Sequence, residues 1–143
     1  MKFFISLVML VSVLFGETKY ATPKPSMDNP RKIVFSITSG DDEIIHHVLG
    51  SANNVLKAYG PENVEMEIVA YSKGINMLLK NDIKIAERVD TLMQYDVLFI
   101  ACGNTMRTKN IKESDLIDGT EVVTAGIVEL VERMKDGWMH VNP

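Results

Sequence analysis

Hydrophobic positions fall into three regimes along the chain. From Phe3 to Phe15 (FFISLVMLVSVLF) they run together without a single charge. From Glu17 to Pro30 they thin out among Thr, Lys, Ser and Asn, with prolines at 23, 25 and 30. From residue 31 onward they return in short blocks whose spacing switches between the period of a strand and that of a helix. Three segments are therefore expected. Lys2 supplies a positive charge ahead of the apolar run, and the 13 residues of that run fall short of the roughly 17–25 that a membrane-spanning helix needs. Residues 1–16 thus read as a signal peptide, with cleavage after Gly16. Residues 17–30 read as a flexible leader, too polar to bury a core, and residues 31–143 as one α/β domain. No cysteine follows the apolar run to accept a lipid, so the expected product is a soluble periplasmic protein with no membrane attachment after cleavage.

Within the domain, Lys32–Thr38 (KIVFSIT) is a short β-branched and aromatic run that predicts a first buried strand. Ser39 with Asp42 three residues on resembles a capping box, and Asp41, Asp42 and Glu43 suit the positive end of a helix. Apolar residues then recur at Ile45, Val48, Leu49, Ala52, Val55, Leu56 and Tyr59, one helical face that closes at Gly60-Pro61. On its other face Gly50 disfavours a helix by about 1 kcal/mol relative to Ala, which suggests close packing there, for instance by a second copy of the chain. Val64–Tyr71 predicts a second strand, Ser72–Gly74 a loop, Ile75–Leu79 a short helical piece and Ile83–Gln94 a helix with Ile85, Val89 and Leu92-Met93 on one face. Asp96–Ala101 (DVLFIA) is the most hydrophobic strand candidate. Glu121–Thr124 and Trp138–Val141 predict two more strands. They flank a helix over Ala125–Lys135 that should turn Ile127, Leu130, Val131 and Met134 inward. Strands alternating with helices predict a three-layer α/β/α sandwich with a mainly parallel sheet of about five strands. In such sheets chemistry collects at the carboxyl ends of the strands, here Ser39–Glu43, Tyr71–Gly74 and Cys102–Met106.

Charge and composition narrow the chemistry. With 15 basic against 19 acidic residues the formal charge is −4, which argues against a nucleic-acid partner. A single cysteine removes an internal disulfide framework and any multi-thiolate metal cluster. The chain contains neither G-x-G-x-x-G nor a phosphate-loop lysine motif, and acids already occupy the helix start after the first strand, where they would repel a phosphate. His46 and His47 are adjacent and so diverge on a helix instead of converging on a metal, with His140 far away in sequence. No serine stands in a G-x-S-x-G context. No cofactor and no metal are expected.

Cys102 is the remaining candidate. It ends the most apolar strand, and Gly103-Asn104-Thr105 can open a turn or helix whose N–H groups would stabilise a thiolate. Lys73, on a neighbouring carboxyl-end loop, and Arg107 could add positive potential. The opposing reading is that a free cysteine is often a small buried hydrophobe. A thiol redox protein is a third possibility, but its resolving thiol would have to come from another chain.

From residue 31 to the end the sequence resembles the DsrE/DsrF-like family. The resemblance rests on the first strand KIVFSIT, on Ser51-Ala52-Asn53-Asn54-Val55, on IVAYSKGI, on Asp96–Met106 (DVLFIACGNTM) and on the tail AGIVELVERMKDGWMHVNP. It implies an α/β/α sandwich that assembles into homo-oligomers. In the sulfur-relay branches it also implies a cysteine that carries sulfane sulfur as a persulfide, a role that falls on Cys102. The leading expectation is thus an exported sulfur-handling protein, a possible sulfurtransferase-like carrier. Its Cys102 would take sulfur from polysulfide or a donor protein and pass it to an acceptor, with Gly103, Asn104, Thr105 and Lys73 around the sulfur. The alternative is a non-catalytic ligand-binding or assembly protein of the same fold in which Cys102 only packs.

Overall fold

The computed structural model describes residues 16–143; the proposed signal peptide therefore lies almost wholly outside the described residues. Five strands, β1 (Arg31–Ile37), β2 (Val64–Ala70), β3 (Leu98–Cys102), β4 (Glu121–Val123) and β5 (Met139–Val141), form one sheet in the order β4-β3-β2-β1-β5. Every pairing is parallel. The sequence therefore builds the expected α/β sheet with helices on both faces. The helices are α1 (Asp42–Tyr59), α2 (Ile83–Met93), α3 (Gly103–Lys109) and α4 (Gly126–Lys135).

Strand order decides which face each helix covers. Parallel crossovers are right-handed, so the steps from β1 to β2 and from β2 to β3, which move one way across the sheet, lay α1 and α2 on one face. The return from β4 to β5 runs the other way and lays α4 on the opposite face. The first face holds the main core: Ile33, Phe35 and Ile37 of β1, Met66, Ile68 and Ala70 of β2, and Phe99 and Ala101 of β3 meet the buried stripes of α1 and α2. The second face holds a much smaller cluster, Val34, Val69, Ile100, Leu130 and Trp138, with Tyr71 and Val123 at its margin.

Local signals set the element ends. Asp41, not Ser39, caps α1: its carboxylate accepts from the amides of Glu43 and Ile44, while Ser39 Oγ accepts from the Asp41 amide. The substitution of one capping residue for another two positions on is physically minor, since both offer a side-chain oxygen to unpaired helix N–H groups. Asp82 caps α2 in the same way. The Ser72–Gly74 loop is the first part of a 3-10 turn over Ser72–Leu78. Gly74 in that turn has no alternative, because a Cβ there would lie 2.1 Å from the Ile37 carbonyl oxygen. The space beside Gly50 belongs to the same chain: Arg88 of α2 is its neighbour, at 3.8 Å from a Cβ built there.

One expectation needs correction. Ile127, Val131 and Met134 of α4 do not turn inward; they are 57%, 51% and 44% exposed. The helix instead meets the sheet through Gly126, Leu130 and Arg133, an i, i+4, i+7 stripe rotated away from the apolar one. The reason lies in the sheet, where the buried carboxylate of Glu67 claims Arg133. The leader also touches the domain. Tyr20 donates its hydroxyl to the Ala58 carbonyl at 2.7 Å and packs on Tyr59, and Arg31 donates to the carbonyls of Ala21 and Pro23 at 2.8 and 2.9 Å.

Candidate functional site

Cys102 is the last residue of β3 and the N-cap of α3. The strand's alternation points Phe99 and Ala101 to the main core and Ile100 to the α4 face, which places Cys102 on the α4 face as well. There it meets the start of α4. A Cβ on Gly126 would stand 3.3 Å from Cys102 Cβ, 3.1 Å from Val69 Cγ1 and 3.4 Å from Tyr71 Cβ, so glycine lets this helix start sit close on the cysteine without crowding. The backbone of Gly103 is equally confined, since a Cβ on it would lie 2.9 Å from the Val123 carbonyl oxygen.

Cys102 is a buried residue, 6% exposed. Burial alone would push its pKa up, because the charged form loses water. Hydrogen bonding reverses the sign. The Gly126 amide, the Thr105 hydroxyl and amide, and the Asn104 amide all favour the thiolate, and the pKa ends below the ordinary thiol value. The donors are not equivalent. Thr105 Oγ1 accepts from the Ser72 amide at 3.0 Å, which leaves its own O–H free to donate. The Asn104 amide is shared with the Thr124 carbonyl at 3.1 Å and is the weakest contributor. Such a site can hold a thiolate, or the anion of a sulfur chain attached to it, without a cationic side chain.

Among the residues expected at the site, Cys102, Gly103, Asn104 and Thr105 are contiguous and together. Lys73 is exposed on the 3-10 turn with its backbone and Cβ against Gly40, and it does not contribute to the thiol's shift. Arg107 is turned to the Asn104 side-chain carbonyl. A cavity of about 580 Å³ opens beside Gly103 between α3 and β4, with Met106, Arg107, Lys112 and Val122 in its wall. Sequence reasoning passed over Gly126, and it placed Tyr71 and Ser72 on the carboxyl-end surface without giving either a role beside the thiol. For Gly126 a signal existed: a small pair, Ala125-Gly126, directly after a strand is what a close helix start requires. Ser72 carried none, since only the fold brings its amide to Thr105.

A parallel α/β domain with a buried cysteine at the carboxyl end of its third strand, set against the start of a helix, defines a class of thiol-bearing sandwich proteins, and comparison with known families identifies which. Residues 32–143 match the DsrE/DsrF-like family; the chain belongs to that family, and membership implies a sulfur-relay-related role. Among solved structures it is similar to a protein of unknown function, MTH1491 from Methanobacterium thermoautotrophicum, at 30% identity and TM-score 0.75, covering 79% of this chain and 99% of that one. The ychN protein from E. coli shares the fold at 19% identity and TM-score 0.67, over 79% and 99% of the two chains. The protein of unknown function BT1422 from Bacteroides thetaiotaomicron shares it at 16% identity and TM-score 0.57, over 78% and 94%. No curated protein matches the chain significantly.

Proposed function

We propose that this protein is an exported, periplasmic sulfur carrier that holds sulfane sulfur as a persulfide on Cys102. The observation that carries the reading is the thiol's setting: a nearly buried sulfur whose ionised form is favoured by three amides and a hydroxyl from α3 and α4. A lowered thiol pKa raises the nucleophilic thiolate fraction near neutral pH. The thiolate attacks the terminal sulfane sulfur of a polysulfide or donor persulfide. A new sulfur–sulfur bond forms at Cys102, the old one breaks, and the shortened polysulfide or donor thiolate leaves with the electron pair. No net oxidation occurs. The same exchange run onto an acceptor thiolate returns Cys102 to its starting state. The Gly126, Thr105 and Asn104 donors that favour the thiolate suit the persulfide anion as well.

The carrier works as a homo-oligomer in this reading. Ile127, Val128 and Val131 form an apolar flank on α4, each more than half exposed, of the kind a second copy covers. Export rests on the layout of residues 1–16.

The test is the intact mass of the protein after incubation with polysulfide. The expected result is a gain of one or more sulfur atoms that a reductant removes and that Cys102→Ser lacks. No gain with polysulfide or with a low-molecular-weight persulfide contradicts the reading. The low exposure of Cys102 favours the second reading, a binding or assembly protein in which the cysteine only packs. Alkylation of Cys102 only after denaturation would decide for it.

A further inference from the structure

Glu67 is the most buried ionisable group among the described residues, at 0% exposure in the middle of β2. One carboxylate oxygen accepts from Arg133 Nε at 2.7 Å, and the other, Oε1, has no partner. Arg133 Nε also reaches Glu129 Oε1 at 2.9 Å, and the guanidinium lies over Trp138, 5.0 Å from the ring centroid. Even a paired charge at the centre of a sheet is costly to bury, and nothing in the sulfur-carrier reading uses this one. The place of its partner Arg133 on α4 suggests what the pair does.

Three inward contacts run along α4: Gly126 against Cys102, Val69 and Tyr71, then Leu130 in the small apolar cluster, then Arg133 on Glu67. Gly126 and Arg133 are seven residues apart, about 10 Å along a rigid helix. Movement at one end is felt at the other.

We propose that the Glu67–Arg133 pair is a positioning device for Cys102: it clamps the far end of α4 so that the Gly126 amide at the near end stays aimed at the sulfur. The inference rests on the reading of Cys102 as a functional thiolate. The clamp is strongest when Glu67 is charged, because a charge-assisted hydrogen bond is roughly twice as strong as a neutral one. Burial pushes Glu67 up from 4.5 to about 7, against the opposing pull of Arg133 and with help from Glu129 and Glu121. The clamp therefore tightens as pH rises through neutrality. The other neighbours do not compete for Glu67. Its register partners Val34 and Leu98 are uncharged, Glu65 is paired with Lys32 at 3.9 Å, and His140 is hydrogen-bonded to Ser36 Oγ at 2.8 Å. A second copy seated on Ile127 and Val131 would press on α4 from outside and leave these inward contacts in place.

A direct electrostatic effect would have the opposite sign. Glu67 pairs with Leu98, four residues before Cys102 on the neighbouring strand, about 13 Å away. Removing a negative charge there would, through space, favour the thiolate. Removing the clamp disfavours it.

The experiment is a titration of thiolate ultraviolet absorbance in the native protein, which has one cysteine, compared with Glu67→Gln. Wild type is expected to ionise below the ordinary thiol range along a curve that departs from a single ionisation near pH 7. Glu67→Gln is expected to follow a single ionisation at higher pH, with the thiolate fraction at pH 7 reduced roughly three- to tenfold. An unchanged or lowered thiol pKa in Glu67→Gln overturns the inference while leaving Cys102 as a carrier intact. A wild-type thiol that ionises only in the ordinary range removes the carrier reading and this inference together. Should Glu67→Gln fail to fold, Arg133→Lys serves. It keeps the charge but shortens the reach, and a thiol pKa equal to or below that of wild type in this variant counts against the clamp.

Discussion

The two faces of the sheet are built on different principles. On the face of α1 and α2, apolar side chains from three strands and two helices interlock, and position follows from packing alone. On the face of α4 the apolar cluster is small, and the helix is placed by a glycine that admits close approach and by a buried ion pair. The thiol lies on this second face. A packed core tolerates no adjustable part, whereas a helix held at three points can aim an amide at a sulfur and respond to the charge state of one carboxylate. The fold's stability and the site's chemistry are thus carried by opposite sides of the same five strands.

The largest expected break in this comparison is Phe99→Ala, which empties a fully packed position on the α1/α2 face. It should cost about 3–5 kcal/mol in urea unfolding. Leu130→Ala, in the small cluster, should cost less, about 2–3 kcal/mol, and should slow thiol alkylation in protein that remains folded. A cost for Leu130 equal to that for Phe99 would erase the distinction between the faces.

Glu67 sharpens the comparison through pH. Its folded pKa is raised above the ordinary carboxylate value, so the native state binds its proton more tightly than the unfolded chain. The stabilisation this gives is complete below about pH 4.5 and is lost as pH rises through about 7. Glu67→Gln, which mimics the neutral form, should therefore stabilise the protein at pH 8 by on the order of 1–3 kcal/mol and have little effect at pH 4. Thermal midpoints at the two pH values check this. A variant more stable than wild type yet with a less ionised thiol would separate the clamp's role from general stability. Equal stabilisation at both pH values would contradict the assigned titration.

At the site, Gly126→Ala must press a methyl group between Val69, Cys102 and Tyr71 at 3.1–3.4 Å. It should cost about 1–2 kcal/mol and raise the thiol pKa by displacing the amide. Thr105→Val should cost about 0.5–1.5 kcal/mol by leaving the Ser72 amide without its acceptor, and it should raise the thiol pKa by removing the hydroxyl donor. The smallest stability effect belongs to Val131→Lys on the exposed flank, within about 0.5 kcal/mol. Its readout is sedimentation, where a shift toward smaller species supports an interface on α4 and no shift removes it.

Much of this was legible in the sequence. The continuous β-branched and apolar runs KIVFSIT and DVLFIA and the stripe from Ile45 to Tyr59 carry their own geometry, because a strand buried on both faces is apolar throughout and a helix buried on one face repeats with its own period. Cys102 through Thr105 stood out because a strand-end cysteine before a helix start is a local arrangement. The orientation of α4 was hidden. Its apolar stripe at 127, 131 and 134 points one way, and the contact that overrides it joins Glu67 to Arg133 across 66 residues. In VEMEIVA the alternating glutamates carry the pattern of a solvent-facing edge, and nothing local says that a later helix will cover one of them. The roles of the Gly126 and Ser72 amides depend on the tertiary fold, which sets the first against Cys102 and the second on Thr105.

The most direct measurement of the central claim is the rate at which a small alkylating reagent modifies Cys102 in the native protein at pH 7, compared with the same cysteine in denaturant. If the donors from α3 and α4 hold the thiol as a reachable thiolate, the native protein reacts at least as fast as the unfolded chain. If modification waits for unfolding, Cys102 is packing material and the sulfur-carrier account is wrong.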